Sequence, residues 1–188
     1  MQTIFSENRA FFISFLIYLL LAGGLLLFME RGDAILFFSN NRTWLGDQAF
    51  IYITKMGEEI AYIIAILVLV FNRYRQALLI PLLGLVVTIV SYFTKRFFAE
   101  DRPLAYFEKL ELFDQINVVE GVILHSGATS FPSGHTMSGF ALFSFLAFCL
   151  PQKKSLGALL FLMAFLVGIS RIYLVQHFLR DVYLGSII

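Results

Sequence analysis

Hydrophobic residues along this chain fall into long blocks separated by short polar and charged stretches. The first block, Ala10 to Met29 (AFFISFLIYLLLAGGLLLFM), carries no charge and meets the roughly 20 residues that a helix needs to cross a bilayer. Further blocks run from Ile60 to Phe71, Ala77 to Thr94, Thr136 to Leu150 and Leu156 to Ile169, and a sixth begins at Val182. Backbone exposed to lipid must satisfy its own hydrogen bonds, so these blocks predict membrane helices. The second block is short, and its helix is extended back through Glu58 and Glu59, which are placed at the membrane surface. The sixth has too few residues before Ile188 to cross. The pattern thus predicts an all-α, polytopic membrane bundle of six transmembrane helices, the sixth truncated, in a single domain over 1–188. A cleaved signal peptide is the rival reading of the first block. Its length, and the lack of a small-residue cleavage site before Glu30 and Arg31, favour a permanent anchor.

Composition sharpens the membrane assignment. Hydrophobic residues make up 59% of the chain, 22 residues are Phe and the mean hydropathy is +0.81, against about 45–50% apolar residues in soluble domains. The net charge of +1 gives no reason to expect a nucleic-acid partner. Cys149 is alone in an apolar run, so it forms no internal disulfide and reads as a small core residue. No repeat, low-complexity segment or linker divides the chain.

Basic residues in short loops mark the cytoplasmic side. Arg9, the stretch NRYRQ (Asn72 to Gln76) and PQKK (Pro151 to Lys154) all fall on one face when the helices alternate. That puts Arg31 to Gly57, Lys95 to Ser133 and the turn after Ser170 outside. Trp44 and Tyr52 suit an interfacial segment between the first two helices. Lys95, Arg96, Arg102 and Lys109 then lie on the wrong side for the charge rule, and a site that needs cations accounts for them. The acidic loop from Leu104 to Ser130 is long enough to cap such a site and to select its substrate.

Three polar clusters share that outer face: KRFFAEDRP (Lys95 to Pro103), PSGH (Pro132 to His135) and SRIYLVQHFLRD (Ser170 to Asp181). Pro132 and Ser133 suit a helix start, Gly134 allows close backbone approach, and the free N–H groups of the first turn can hold a phosphate. His135 in that turn could protonate a leaving oxygen. The tetrapeptide by itself fits a plain helix cap with an interfacial His equally well. His177 and Asp181 are four apart, so a sixth helix beginning near Gln176 would put them on one face, with Asp181 fixing the tautomer of a nucleophilic or basic His177. Lys95, Arg102 and Arg171 could surround phosphoryl oxygens. Each alone fits snorkelling to headgroups, but snorkelling does not explain two His, an Asp and an anion-binding turn on the same face. The three His and one Cys show no zinc- or iron-ligand spacing, so no metal or other cofactor is expected. Glu58 and Glu59 read as solvated, His125 and Arg96 as neutral bystanders, and Asp101 and Arg180 as local partners.

Together, Lys95 with Arg102–Pro103 (K, six residues, RP), Pro132 to His135 (PSGH), and Ser170–Arg171, His177 and Asp181 (SR, five residues, H, three residues, D) resemble the three signatures of the type-2 phosphatidic acid phosphatase superfamily. No signature position departs from the pattern. The resemblance implies a six-helix membrane phosphatase that acts on lipid phosphates or pyrophosphates without a metal ion. It implies that His177 attacks phosphorus to form a phosphohistidine, that Asp181 orients it, and that His135 protonates the leaving oxygen and later activates water. Lys95, Arg102, Arg171, Ser133 and the Gly134 amide would hold the phosphate; Ser170 belongs to the motif without an assigned role. The resemblance also implies a bacterial inner membrane, with the site facing the periplasm or cell exterior. The signatures do not separate undecaprenyl pyrophosphate, phosphatidylglycerol phosphate, phosphatidic acid and lipid A phosphates as substrates. A lipid phosphotransferase would use the same residues, whereas a lipid or anion transporter would call for midplane charges and broken helices.

Overall fold

The computed structural model of the protein describes residues 7–150 and 154–188, and every regular element among them is helical. The elements are α1 (Arg9–Phe28), α2 (Asp33–Asn40), α3 (Trp44–Ile53), a 3-10 turn at Thr54–Gly57, α4 (Glu59–Ala77), α5 (Leu79–Phe98), α6 (Pro103–Lys109), a short 3-10 turn at Phe113–Gln115, α7 (Gly134–Cys149), α8 (Lys154–Tyr173) and α9 (Leu179–Ile187). All six apolar blocks of the sequence are found as helices. By length and composition, α1, the Arg73–Lys109 stretch that holds α5, and Ser155–Tyr173 of α8 are long enough to cross a membrane, while Glu59–Phe71 and α7 are shorter apolar helices. An all-α membrane bundle is therefore the architecture, although length alone accounts for three of the six expected spans among the described residues.

The bundle is arranged around α7. Phe140, Leu142, Phe143, Leu146 and Ala147 of α7 are buried against Leu160, Ala164 and Val167 of α8 and against Phe11, Tyr18 and Ala22 of α1. By contrast, Leu27 and Phe28 at the end of α1 and Phe71 of α4 are 82%, 88% and 86% exposed. Apolar surface on that scale is untenable in water and natural against acyl chains.

Helix ends depart from expectation where the chain lacks a breaker. The stretch NRYRQ joins the second and third apolar helices as a kink and not as an open loop: the helix breaks at Arg73 (φ −146, ψ 51), helical backbone resumes to Ala77, and Leu78 separates it from α5. Arg and Gln are good helix formers, and no Gly or Pro interrupts them. The PQKK joint lies outside the described residues except for Lys154, where α8 begins.

On the side of the three polar clusters, short elements pin the end of α8. Thr43 caps α3 by accepting the Gly46 N–H. Tyr173 then packs on Phe38 and Phe50, donates its hydroxyl to Asp47 at 2.7 Å, and accepts from Arg42 at its carbonyl at 2.7 Å. Trp44 and Tyr52 stay exposed, as an interfacial segment requires. The 104–130 loop is tied down as well: the Asn117 amide donates to Ser39, and Gln176 donates to the Ile123 carbonyl.

Candidate active site

The PSGH stretch begins α7 as expected. Ser133 is the N-cap, and its Oγ accepts from the Thr136 N–H at 3.4 Å and from the Thr136 hydroxyl at 2.9 Å. Its own amide donates to the Asp181 carbonyl at 3.0 Å, which ties the start of α7 to the start of α9. A Cβ added at Gly134 would lie 3.0 Å from Ser91 Oγ and 3.4 Å from Lys95 Nζ, so the Lys95 ammonium sits close against this backbone. The first-turn N–H groups of α7 and the Lys95 cation therefore border the same space, an arrangement that suits an anion.

His177 and Asp181 meet, but not as neighbours on a helix. α9 starts at Leu179, so His177 precedes it and the expected shared helical face does not exist. The contact is made through the cap instead. Asp181 stands in the first turn of α9, and its Oδ2 accepts the Phe178 N–H at 3.0 Å, which turns the carboxylate back toward the preceding loop. The same oxygen lies 3.4 Å from His177 Nδ1 and accepts from Ser130 Oγ at 2.5 Å. With Nδ1–H donated to the carboxylate, Nε2 carries the lone pair, and among the described residues it has no hydrogen-bond partner. His177 and Asp181 are both buried, and burial pushes the His177 pKa down from 6.5 to about 3, with the Asp181 hydrogen bond acting in the opposite direction. The ring is therefore neutral at physiological pH, as a nucleophile must be.

The cations form the third part. Arg171 is 6% exposed; its Nη1 donates to Thr54 Oγ1 at 2.6 Å, and its Nε has no partner. Arg102 is also buried, donating from Nε to Thr129 Oγ1 at 3.0 Å and from Nη1 to the Gln176 carbonyl at a long 3.5 Å. Lys95, Arg102 and Arg171 are electrostatic neighbours of one another. None of the three takes part in an ion pair among the described residues, whereas Arg31, Arg42, Lys109 and Arg180 all pair with carboxylates. Two of the three, Arg102 and Arg171, are buried with Asp181 and Glu58 as opposite charges near the cluster but not in contact with either arginine. Burying cations short of a paired counter-ion is costly, and a bound anion would relieve it. Three His, Cys, Asp or Glu side chains do not gather anywhere among the described residues in the way a metal ion needs.

A cleft of about 600 Å³ opens beside this cluster. At one end it is bordered by Glu58, Gly134 and His135, and it continues between α4 and α5 past Ile63, Ile66 and Ile80. One end is thus polar and the remainder is apolar.

A family model for the PAP2 superfamily matches residues 76–188. The chain belongs to the PAP2 superfamily. Phosphatidylglycerophosphatase B of Bacillus subtilis (strain 168) is 37% identical over 68 residues, 32% of this chain. That match spans about a third of the relative's length, 34%. The crystal structure of Aquifex aeolicus LpxE superimposes with a TM-score of 0.70 at 28% identity, covering 85% of this chain and 90% of that one. A transmembrane PAP2-type phosphatidylglycerolphosphate phosphatase from Bacillus subtilis shares the fold, with a TM-score of 0.59 at 24% identity over 96% of this chain and 89% of that one.

Within this PAP2 chain, the eight residues singled out in the sequence fall in two touching groups, α7's first turn with Lys95, and the 171–181 segment with Arg102. Four contributors carried no such signal. Ser130 sits in the same short stretch as PSGH yet turns out to be a partner of Asp181. Thr129 and Thr54 are hydroxyl partners of Arg102 and Arg171. Glu58 is not simply solvated at a helix mouth: its Oε1 lies 3.3 Å from His135 Nε2. Nothing local in the sequence joins residues 77 apart, so only packing could reveal the contact. The remaining assignments are local: Asp101 pairs with Lys109, Arg180 with Glu100, Arg96 donates to Tyr92, Ser170 donates to the Val167 carbonyl, and His125 is exposed.

Proposed function

We propose that this PAP2 protein is a lipid phosphate phosphatase that acts through a phosphohistidine, with no metal ion in the reaction. The observation that carries the reading is the cluster of buried Arg102 and Arg171 with half-buried Lys95, none in an ion pair among the described residues, beside a neutral His177 held by Asp181. Lys95, Arg102 and Arg171 hold the non-bridging oxygens, neutralising charge in a transition state that spreads it over them. The Gly134 amide joins them, and Ser133, whose Oγ accepts from Thr136, keeps its hydroxyl proton to donate. His177 Nε2 attacks phosphorus; a P–N bond forms as the P–O bond to the lipid breaks, and protonated His135 gives its proton to the departing oxygen. Water then attacks the phosphohistidine while His135 takes the water's proton, the P–N bond breaks, and free phosphate leaves with both histidines restored.

The apolar cleft supports a lipid leaving group, because it runs from His135 between two lipid-facing helices and would accept an acyl chain with the headgroup at the cations. Phosphatidylglycerol phosphate is the first substrate to try, since relatives are named for it. Loop charges favour a site on the outer face, and the bacterial relatives favour a bacterial inner membrane. The test is free-phosphate release by purified protein in detergent with EDTA, from phosphatidylglycerol phosphate, phosphatidic acid, undecaprenyl pyrophosphate and lipid A phosphates, with His177→Ala alongside. Release by the wild type alone is expected. Equal release by the variant, or complete suppression by EDTA that added metal restores, overturns the reading.

A further inference from the structure

The 3-10 turn Thr54–Gly57 and the residue after it lie against the first turn of α7 and the end of α8. A Cβ added at Gly57 would stand 2.8 Å from the His135 carbonyl oxygen and 2.8 Å from Val167 Cγ1, so only glycine allows this approach. The approach brings Thr54 Oγ1 to Arg171 and Glu58 Oε1 to within 3.3 Å of His135 Nε2. One short segment therefore touches both a phosphate-site arginine and the proposed acid.

The charges around His135 are one-sided. Lys95 faces it from α5, Arg102 from the start of α6, Arg171 from α8 and His177 from the loop before α9. Glu58 is the acidic side chain in contact with it; Glu59, Tyr62 and Tyr92 line the same cleft. A general acid must hold its proton while substrate is bound; burial opposes a positive charge here first, and the three cations add to it. A carboxylate at 3.3 Å supplies the counter-charge. That distance is longer than the roughly 2.7–2.9 Å of a tight charge-assisted hydrogen bond, so the ring is not locked away from a leaving oxygen at the cleft mouth.

We propose that Glu58 is a positioning residue for leaving-group protonation, its carboxylate keeping His135 protonated and aimed at the mouth of the apolar cleft. The inference rests on His135 acting as the acid in the proposed phosphatase reaction. It assigns a role in this reaction to a residue outside the three sequence signatures.

The test compares wild type, Glu58→Gln, Glu58→Asp and His135→Asn as full chains in detergent, on phosphatidic acid in mixed micelles and on p-nitrophenyl phosphate. The nitrophenolate departs without help from an acid, whereas the alkoxide does not; both are followed in the single-turnover phosphorylation step, because His135 also serves the hydrolytic step that the two esters share. Glu58→Gln is expected to lower the phosphorylation rate on the lipid about tenfold or more and to move the alkaline limb of its pH profile down by about one unit. The aryl ester should lose less than about threefold, and Glu58→Asp should keep the wild-type limb. Equal losses of Glu58→Gln on both esters, or an unmoved alkaline limb, overturn the inference if His135→Asn still discriminates between the esters. Loss of discrimination in the phosphorylation step of His135→Asn itself overturns the acid assignment, and no release from either ester by the wild type overturns the phosphatase reading.

Discussion

Replacing Asp181 by Asn separates charge from geometry, because every close donor to this carboxylate converges on one oxygen. His177 Nδ1, the Phe178 N–H and Ser130 Oγ all address Oδ2, while Oδ1 has no hydrogen-bond partner. An Asn with its carbonyl oxygen at the Oδ2 position can accept all three bonds and place its NH2 at Oδ1. The cap, the loop and the tautomer of His177 should therefore survive; what is lost is the negative charge and, with it, the 3.8 Å ion pair of Oδ1 with Arg180 Nε. Unit charges 3.4 Å apart attract by about 5 kcal/mol at an effective dielectric constant of about 20. In the attacking step the imidazole acquires only part of a positive charge. About half of that energy, ~2.5 kcal/mol, is then at stake, equivalent to a fall in kcat of about a hundredfold. In the proposed reaction the phosphate is held mainly by Lys95, Arg102 and Arg171, so KM should change by less than about threefold. Steady-state phosphate release over a lipid series, with thermal unfolding in the same detergent, reads both quantities. A rise in KM at unchanged kcat, or a kcat within a factor of about three of wild type in a folded variant, would refute the orientation and charge role.

His177→Ala should abolish turnover while leaving the melting temperature within a few degrees, and residual phosphate release by a folded variant would remove His177 as nucleophile. Thr54→Val deprives Arg171 Nη1 of its 2.6 Å acceptor and should raise KM several-fold, since a buried bond to a charged group is worth about 1.5–3 kcal/mol; an unchanged KM would show that Arg171 needs no such support. Gly57→Ala forces a methyl against the His135 backbone and Val167 and should cost about 1–3 kcal/mol of stability together with activity; thermal unfolding checks it, and an unshifted melting temperature contradicts the close packing. The His177 pKa is depressed from 6.5 to about 3, so above pH ~6.5 the ring is neutral whether folded or not, and between there and about 3 only the unfolded chain takes the proton. Stability should decline as pH falls through that window, and His177→Asn should flatten the slope in unfolding scans from about pH 7 to 4.5; identical slopes would place the titration elsewhere.

The membrane character, the six helical blocks and the three phosphate-site clusters could be read directly from the chain, because each is a local property. Long charge-free runs predict helices through backbone satisfaction in lipid, and PSGH predicts a helix start through capping that needs only neighbouring residues. The same local reading erred where a long-range contact or a missing breaker decided the outcome. NRYRQ makes its joint as a kink at Arg73 and not as an open loop, and His177 sits ahead of α9, meeting Asp181 through the Phe178 cap rather than along a helix. Tertiary structure alone placed Ser130 on Asp181, Thr54 on Arg171 and Glu58 on His135, at separations of 51, 117 and 77 residues. A hydroxyl or carboxylate has no local signature for a partner so distant. Its role is set when α4, α7, α8 and α9 pack closely enough that their polar ends must satisfy one another.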